Sequence, residues 1–169
     1  MADRKIYYPL MLDISDKNIL ILGGGPAAAE KLRSLSQTGK KVRVIAKEFS
    51  EPFLNQDWLE LVQKSYTSGD LDGFDLVYVG INDPIVEEKI LHDARKHNLL
   101  INFIDKVEHS DFISPSVLIR ENYSIFISTY GKGPGMTKKI RKTIEEKIDL
   151  NDLDKEAGEY FLKRNQEKS

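Results

Sequence analysis

Apolar and polar positions along the first 105 residues follow a repeating strand-and-helix pattern. Short apolar runs predict five buried strands, and the segments between them are long enough for crossover connections. The predicted strands are NILILG at 18–23, KVRVIA at 41–46, one within WLELVQKSY at 58–66, DLVYVG at 75–80 and LLINFID at 99–105. The first half of the third segment is equally compatible with a helix. This alternation predicts an α/β fold with a Rossmann-like parallel sheet.

Helix signals stand between these strands. Pro26 suits the first helical turn, where its missing N–H does no harm, and Gly39 is a typical helix end. A second helix is predicted to begin with Asp83 as its N-cap and to run to about His97. The chain therefore contains helices that can cover the predicted sheet.

The pattern changes near residue 113. PSVLIR and YSIFIS are two apolar runs that predict a hairpin, and GKGPGMTKKIRKTIEEKI predicts a loop followed by a helix. The last 20 residues are highly charged and predict a short helix with a frayed end. The predicted domains are residues 1–113 as the nucleotide-binding domain, 114–147 as the hairpin and loop region, and 148–169 as a short helical C-terminus.

Composition narrows the function classes. The 169 residues carry a net charge of −2, which gives no argument for a nucleic-acid partner. No run of 18 apolar residues predicts a membrane span, and the N-terminus lacks the apolar core of a signal peptide. The absence of cysteine excludes disulfides, thiolate metal sites and a Cys nucleophile, and it is compatible with the expected cytoplasmic location. The three histidines lack metal-ligand spacing, so no resident metal site is predicted.

The segment ILILGGGPAAAEKLRSL at 19–35 holds the first candidate site. Gly23, Gly25 and Ala28 match G-x-G-x-x-[G/A] between a strand and a helix. The first glycine allows a tight turn, the second admits a pyrophosphate, and the small third residue lets helix and strand pack closely. The helix N-terminus then offers N–H groups to phosphate. The pattern predicts dinucleotide binding; the alternative is a tight turn in an α/β protein with another ligand.

Charged residues follow the second predicted strand. An acid at this position commonly holds the ribose hydroxyls of a dinucleotide. Glu48 would favour NAD, whereas Lys47 would tolerate the 2′-phosphate of NADP. The sequence leaves this choice open with a preference for NAD, and both residues are also compatible with plain exposed loop charges.

Two further segments carry candidate chemistry. Asn102 and Asp105 lie at the carboxyl end of the fifth strand, the edge at which open α/β sheets bind ligands. Asp105 can act there as a general base, or it can be a turn or capping residue. In STYGKGPG, the donors Ser128, Thr129 and Lys132 could hold an anionic substrate, although a simple loop before a helix is the alternative.

Six motifs in order resemble the precorrin-2 dehydrogenase family over about residues 7–147. They are YYPLMLDISDKNILILGGG with the helix start that reaches Lys31, GDLDGFDLVYVGINDP, INFID, DFISPSVLIR, ISTYGKGP and KKIRKTIEE. The resemblance implies an N-terminal Rossmann domain, a central dimerisation region with swapped elements, and a small helical C-terminal part. It thus implies a homodimer.

The family resemblance also implies an activity. It implies NAD-dependent oxidation of the tetrapyrrole precorrin-2 to sirohydrochlorin in siroheme synthesis, and some members are also sirohydrochlorin ferrochelatases. Asp105 would be the catalytic general base, and Arg120 and Lys132 would pair with substrate carboxylates. Any Fe²⁺ or Co²⁺ would be held transiently by oxygen ligands or by the macrocycle. The residues implied to contact NAD are Gly23, Gly25, Pro26, Ala27, Lys47, Glu48, Gly80 and Asn82; those implied to contact substrate are Asn102, Arg120, Ser128, Thr129 and Lys132.

Some positions depart from the family pattern. Ile81 stands where the family has Thr, and in the loop STGGxSP Tyr130 replaces a Gly and Gly133 replaces a Ser. Tyr adopts a positive φ with difficulty, so the loop is expected to be reshaped. These departures favour a non-catalytic dinucleotide- or tetrapyrrole-binding module as the alternative function, whereas Asp105 in N-x-x-D favours the enzyme.

Overall fold

The computed structural model describes residues 5–167, which form two compact units that divide after Ile113. Five parallel strands form the sheet of the first unit, in the order β3-β2-β1-β4-β5. They are β1 (Ile19–Leu22), β2 (Val42–Ala46), β3 (Leu59–Gln63), β4 (Leu76–Val79) and β5 (Leu100–Phe103). All five predicted strands are confirmed, and the ambiguous third segment is a strand.

Two helices cover the opposite faces of this sheet. α1 (Pro26–Leu35) packs on one face and α2 (Pro84–His97) on the other. Neighbouring strand residues alternate between the faces, so Ile21 belongs to the α1 side of the core and Leu22 to the α2 side. Both side chains are fully buried, which explains why the strands are continuous apolar runs. The connections after β1 and β4 leave on opposite faces and open a crevice at the carboxyl edge.

The helix boundaries follow the predicted signals. Asp83 caps α2, since its Oδ1 accepts hydrogen bonds from the N–H of Ile85 (3.1 Å) and of Val86 (3.3 Å). Asn98 ends the same helix in the left-handed conformation, with φ of 52°. Gly39, with φ of 68°, follows a 3₁₀ turn after α1. The predicted N-cap is therefore confirmed, and the left-handed glycine lies where a helix end was expected.

The second unit contains a hairpin and two helices. β6 (Ser116–Ile119) and β7 (Ser124–Ile127) are antiparallel, and they are followed by α3 (Pro134–Lys147) and α4 (Leu150–Gln166). The hairpin and the first helix lie where the sequence predicted them. The C-terminal helix is longer than expected, with 17 residues. Within residues 5–167, no helix is both long and apolar enough to cross a membrane.

A small core joins the hairpin to the start of α4. Leu118, Ile127 and Leu150 are its buried residues. The hydroxyl of Tyr123 donates to the Leu150 carbonyl over 2.9 Å. The hairpin turn is thereby fixed to the helix that follows it in this unit.

Candidate functional site

The turn between β1 and α1 is closely packed at its first two glycines. Gly23 has φ of 118°, and a Cβ there would lie 2.5 Å from the carbonyl oxygen of Gly80. A Cβ on Gly24 would lie 2.1 Å from the carbonyl oxygen of Glu48. Neither position accepts a side chain. Sequence reasoning missed Gly24, because it occupies a free position of the motif and meets Glu48 only in the folded protein.

Gly25 differs, because the space around it is open. A Cβ built there meets no atom within 4 Å, and its φ of −89° suits any residue. Gly25 is the N-cap of α1, whose first turn carries no acidic residue. Free N–H groups and the helix dipole attract an anion at such a helix start. The open cradle therefore fits the pyrophosphate of a dinucleotide.

Neighbouring loops hold this cradle in place. The backbone N–H and the hydroxyl of Ser50 both donate to the Gly24 carbonyl, each over 2.8 Å. The Gly80 N–H donates to the Leu22 carbonyl over 2.8 Å. A Cβ on Gly80 would lie 2.9 Å from the Cβ of buried Ala28, so small residues are needed at both positions. The loops after β1, β2 and β4 thus interlock.

The other predicted dinucleotide residues also lie at this carboxyl edge. Pro26 is the first residue of α1, and Ala27 beside it is half-buried. Lys47 and Glu48 are exposed directly after β2, and Asn82 is exposed in the loop after β4. Both charged residues are accessible, so the preference for NAD over NADP stays a prediction.

Asn102 is a buried polar residue in β5. It lies opposite Tyr78 of β4 and is only 4% exposed. Its Nδ2 donates to the Phe112 carbonyl over 2.8 Å, whereas its Oδ1 is buried and has no hydrogen-bond partner among the residues that the structure describes. An unpaired buried acceptor is costly and calls for an explanation. The Oδ1 atom is therefore a candidate acceptor for a ligand N–H or O–H.

Asp105 lies in a turn two residues beyond the end of β5, and it is exposed. Lys31 of α1 is half-buried, and the charge of Asp105 acts on it. Burial lowers the pKa of Lys31, and the negative charges of Glu30 and Asp105 oppose that shift. The amine of Lys31 therefore lies within electrostatic range of the candidate base. Sequence reasoning used Lys31 only as a motif residue, and no local signal connects it with Asp105.

The loop after β7 forms part of the second unit. The Ser128 hydroxyl accepts a hydrogen bond from the Tyr130 N–H (3.1 Å), and the Thr129 hydroxyl bonds that of Thr137 (2.9 Å). These contacts shape the loop, while Lys132 is exposed. Tyr130 has φ of 56°, so it adopts the left-handed conformation in spite of its side chain, and a reshaped loop stays a prediction. The strain of such a left-handed residue is about 1 kcal/mol.

Arg120 lies apart from the Ser128 loop. It follows β6, whereas Ser128 follows β7, and antiparallel pairing puts these two strand ends at opposite ends of the hairpin. Its Nη1 donates to the Ile119 carbonyl over 2.9 Å. The structure therefore does not group Arg120 with Ser128, Thr129 and Lys132, and its contact with substrate stays a prediction.

Two siroheme synthases are similar to the chain. The protein of Photorhabdus laumondii is 31% identical over 160 residues, which are 91% of this chain and 34% of that protein. The protein of Azotobacter vinelandii is 28% identical over 142 residues, which are 82% of this chain and 31% of that protein. The chain therefore spans about a third of the length of these relatives.

A solved structure and a family model agree with the fold. The structure of "SirC, precorrin-2 dehydrogenase" matches with a TM-score of 0.70 and 26% identity, over 85% of this chain and 72% of that chain. The family model described as "Putative NAD(P)-binding" matches residues 10–116. This range contains the five-stranded sheet, the glycine cradle and Asp105. The chain belongs to this NAD(P)-binding family.

Proposed function

We propose that the chain is an NAD-dependent dehydrogenase that oxidises precorrin-2 to sirohydrochlorin in siroheme synthesis. The observation that carries the proposal is the pairing of an open phosphate cradle at Gly25 with an exposed carboxylate, Asp105, at the same edge of one sheet. The similarity to siroheme synthases and to a precorrin-2 dehydrogenase supports the substrate. We propose the cytoplasm as the place of the reaction, with which a chain without cysteine is compatible.

The residues of the cradle bind and orient the dinucleotide in this proposal. Backbone N–H groups at Gly25 and the start of α1 hold the pyrophosphate, and Lys47 and Glu48 lie near the ribose. Bound NAD⁺ supplies the hydride acceptor. The interlocked loops around Gly24 and Gly80 keep these backbone donors in fixed positions, so little reorganisation is needed on binding.

Asp105 and Asn102 act on the tetrapyrrole in this proposal. Oxidation of precorrin-2 removes two electrons and two protons. A hydride carries both electrons and one of the protons to NAD⁺, and Asp105 accepts the other proton as general base. The unpaired Oδ1 of Asn102 would accept a hydrogen bond from a pyrrole N–H once substrate binding opens the site around this buried atom.

Residues of the second unit would bind the substrate carboxylates. Lys132 is exposed in the loop after β7, and a charge-assisted hydrogen bond from its ammonium group would fix one carboxylate. The Ser128 and Thr129 hydroxyls can donate hydrogen bonds to further substrate carboxylates once their hydrogen bonds within the loop rearrange. Arg120 would contact a different part of the macrocycle, because it lies at the other end of the hairpin.

Anaerobic turnover of enzymatically generated precorrin-2 with NAD⁺ tests the proposal. NADH absorbance at 340 nm and the sirohydrochlorin spectrum are followed together. Equal molar appearance of both products is the expected result. Tight NAD⁺ binding without turnover would overturn the proposal and favour the alternative, a non-catalytic dinucleotide- or tetrapyrrole-binding module.

Metal insertion is a second activity that we propose for the same site. Chelation requires removal of two pyrrole protons, and Asp105 is an accessible acceptor. No group of three or more His, Asp or Glu side chains within residues 5–167 could hold a metal ion; Fe²⁺ or Co²⁺ enters here as substrate. Consumption of free sirohydrochlorin on addition of either ion without NAD⁺ is the expected result, and an unchanged spectrum would contradict it.

We also propose that the chain is a homodimer. Ile119 and Phe126 of the hairpin are 44% and 48% exposed, and Tyr160 and Leu162 of α4 are 61% and 65% exposed. Large apolar side chains in such number are typical of a surface that a partner covers, and a second copy is the partner that the family resemblance implies. Light scattering at micromolar concentration should give twice the mass of the 19.3 kDa chain; a monomer would contradict the proposal.

A further inference from the structure

The turn that carries Asp105 is tied to α2 by an ion pair. Lys106, the residue directly after Asp105, forms this ion pair with Glu87 of α2. The contact of Lys106 therefore restrains the turn in which Asp105 lies.

The backbone before and after this turn is already fixed. The Ile104 N–H donates to the Val79 carbonyl over 3.0 Å. The buried Ser110 hydroxyl accepts from the Phe103 N–H (2.8 Å) and lies 3.1 Å from the Lys106 carbonyl. Within the turn itself, the Lys106 N–H makes a longer bond of 3.3 Å to the Phe103 carbonyl. The ion pair thus acts on the least restrained part of the segment.

Glu87 is an unusual partner for a surface lysine. Its side chain is only 11% exposed, while that of Lys106 is 36% exposed. A buried carboxylate is expensive without a partner, and an apolar pair in the same place is often equally stable. Stability alone therefore gives no reason for a charge at this position, whereas a defined direction for the turn does.

We propose that Glu87 is a positioning residue: by binding Lys106, it fixes the turn that carries Asp105 and thereby holds the Asp105 carboxylate in place at the carboxyl edge of the sheet. This proposal rests on the proposed function, in which Asp105 is the general base. It goes beyond that function because it assigns a role to α2, an element that contributes no other residue to the site.

Four variants and one control variant separate positioning from folding. Glu87→Gln removes the negative charge and keeps the shape, and Lys106→Met removes the cation. Lys106→Arg keeps the charge and serves as the conservative rescue. The double variant Glu87→Gln with Lys106→Met leaves no unpaired buried charge, so it stays informative if Lys106→Met does not fold. Glu88→Gln on the exposed side of α2 is the matched control.

Amide hydrogen exchange in the protein without substrate is the first readout. Loss of the ion pair should accelerate exchange of the Lys106 amide at least about tenfold relative to the Leu22 amide of central β1. Lys106→Arg and Glu88→Gln should exchange like the wild type. Unchanged protection of Lys106 in Glu87→Gln and in the double variant would overturn the proposal, and this arm stays valid even if the wild type fails to oxidise precorrin-2.

Kinetics with NAD⁺ and precorrin-2 are the second readout. We expect kcat at least about tenfold lower in Glu87→Gln, Lys106→Met and the double variant, with the KM for NAD⁺ within about twofold of the wild type. Lys106→Arg should recover most of the lost kcat. If the variants melt at a lower temperature but keep the wild-type kcat per folded molecule, the ion pair is merely structural and the proposal is overturned. If the wild-type protein itself does not oxidise precorrin-2, the result counts against the proposed function instead.

Discussion

The two units differ in how they use their apolar residues. In the first unit, the central strands β1 and β4 are buried along their whole length, and helices cover both faces. In the second unit, Leu118 and Ile127 of the hairpin are buried, but Ile119 and Phe126 of the same strands are exposed. The central strands of the first unit are therefore covered on both faces, whereas the hairpin of the second unit leaves large apolar side chains exposed.

The units also differ in how they present polar groups. The cradle at Gly23–Gly25 uses backbone donors that interlocked loops hold in place. The loop at 128–133 uses side chains, and it contains a strained left-handed Tyr130. Rigid backbone donors suit a group of fixed shape and charge, such as the pyrophosphate of a dinucleotide. Exposed side chains on a loop suit an anionic substrate of irregular shape.

The largest expected effect tests the contrast between the two cores. Ile21→Ala removes a fully buried side chain from the central strand and should lower the free energy of unfolding by about 3 kcal/mol. Phe126→Ala, at a half-exposed position, should cost about 1 kcal/mol or less in the isolated chain and instead weaken self-association. Urea denaturation and light scattering measure both variants, and equal losses of stability would remove the contrast.

The next effect tests the glycine cradle. Gly25→Asp should fold normally, since its side chain meets open space, but the carboxylate would repel the pyrophosphate. NAD⁺ affinity should fall by at least about 100-fold, or about 2.7 kcal/mol. Gly135→Asp is the matched control, because Gly135 also has open space near a helix start, in the second unit. Calorimetry that finds equal affinity in both variants would contradict the site assignment.

Asp105→Ala separates binding from turnover. We expect kcat to fall by about 100-fold, the scale for loss of a general base, while NAD⁺ affinity changes by less than about twofold. Glu108→Ala is the control, since Glu108 is an exposed carboxylate in the same segment. Wild-type kcat in Asp105→Ala would return Asp105 to the role of a turn residue.

The smallest effect concerns the strained loop. Tyr130→Gly relieves the left-handed strain but adds freedom to the unfolded chain, so the free energy of unfolding should rise by only about 0.5 kcal/mol. Tyr130→Ala keeps the strain and should give no such gain. If urea denaturation shows Tyr130→Gly to be less stable than the wild type, contacts of the ring outweigh the backbone strain.

Local patterns predicted the elements well, for identifiable reasons. Continuous apolar runs marked the strands because both faces of the sheet are covered, and Asp83 before Pro84 marked a helix start because capping is a local interaction. α4 is longer than its high charge predicts, because its first residue, Leu150, is buried in a small core. Tyr130 adopts the left-handed conformation because the constraint of the whole loop outweighs the steric preference of its side chain.

The candidate site divides in the same way. The sequence by itself determined the fold class, the glycine spacing and the position of Asp105 at a strand end, because these depend on residues close together in the chain. Only the tertiary structure decided that Gly24 must be glycine and that Glu87 binds Lys106. Each of these contacts joins residues from different elements, and the sheet order sets which elements meet. Contacts between residues of different elements leave no periodic signal along the sequence. They can therefore be identified only once the arrangement of the strands and helices in the fold is known.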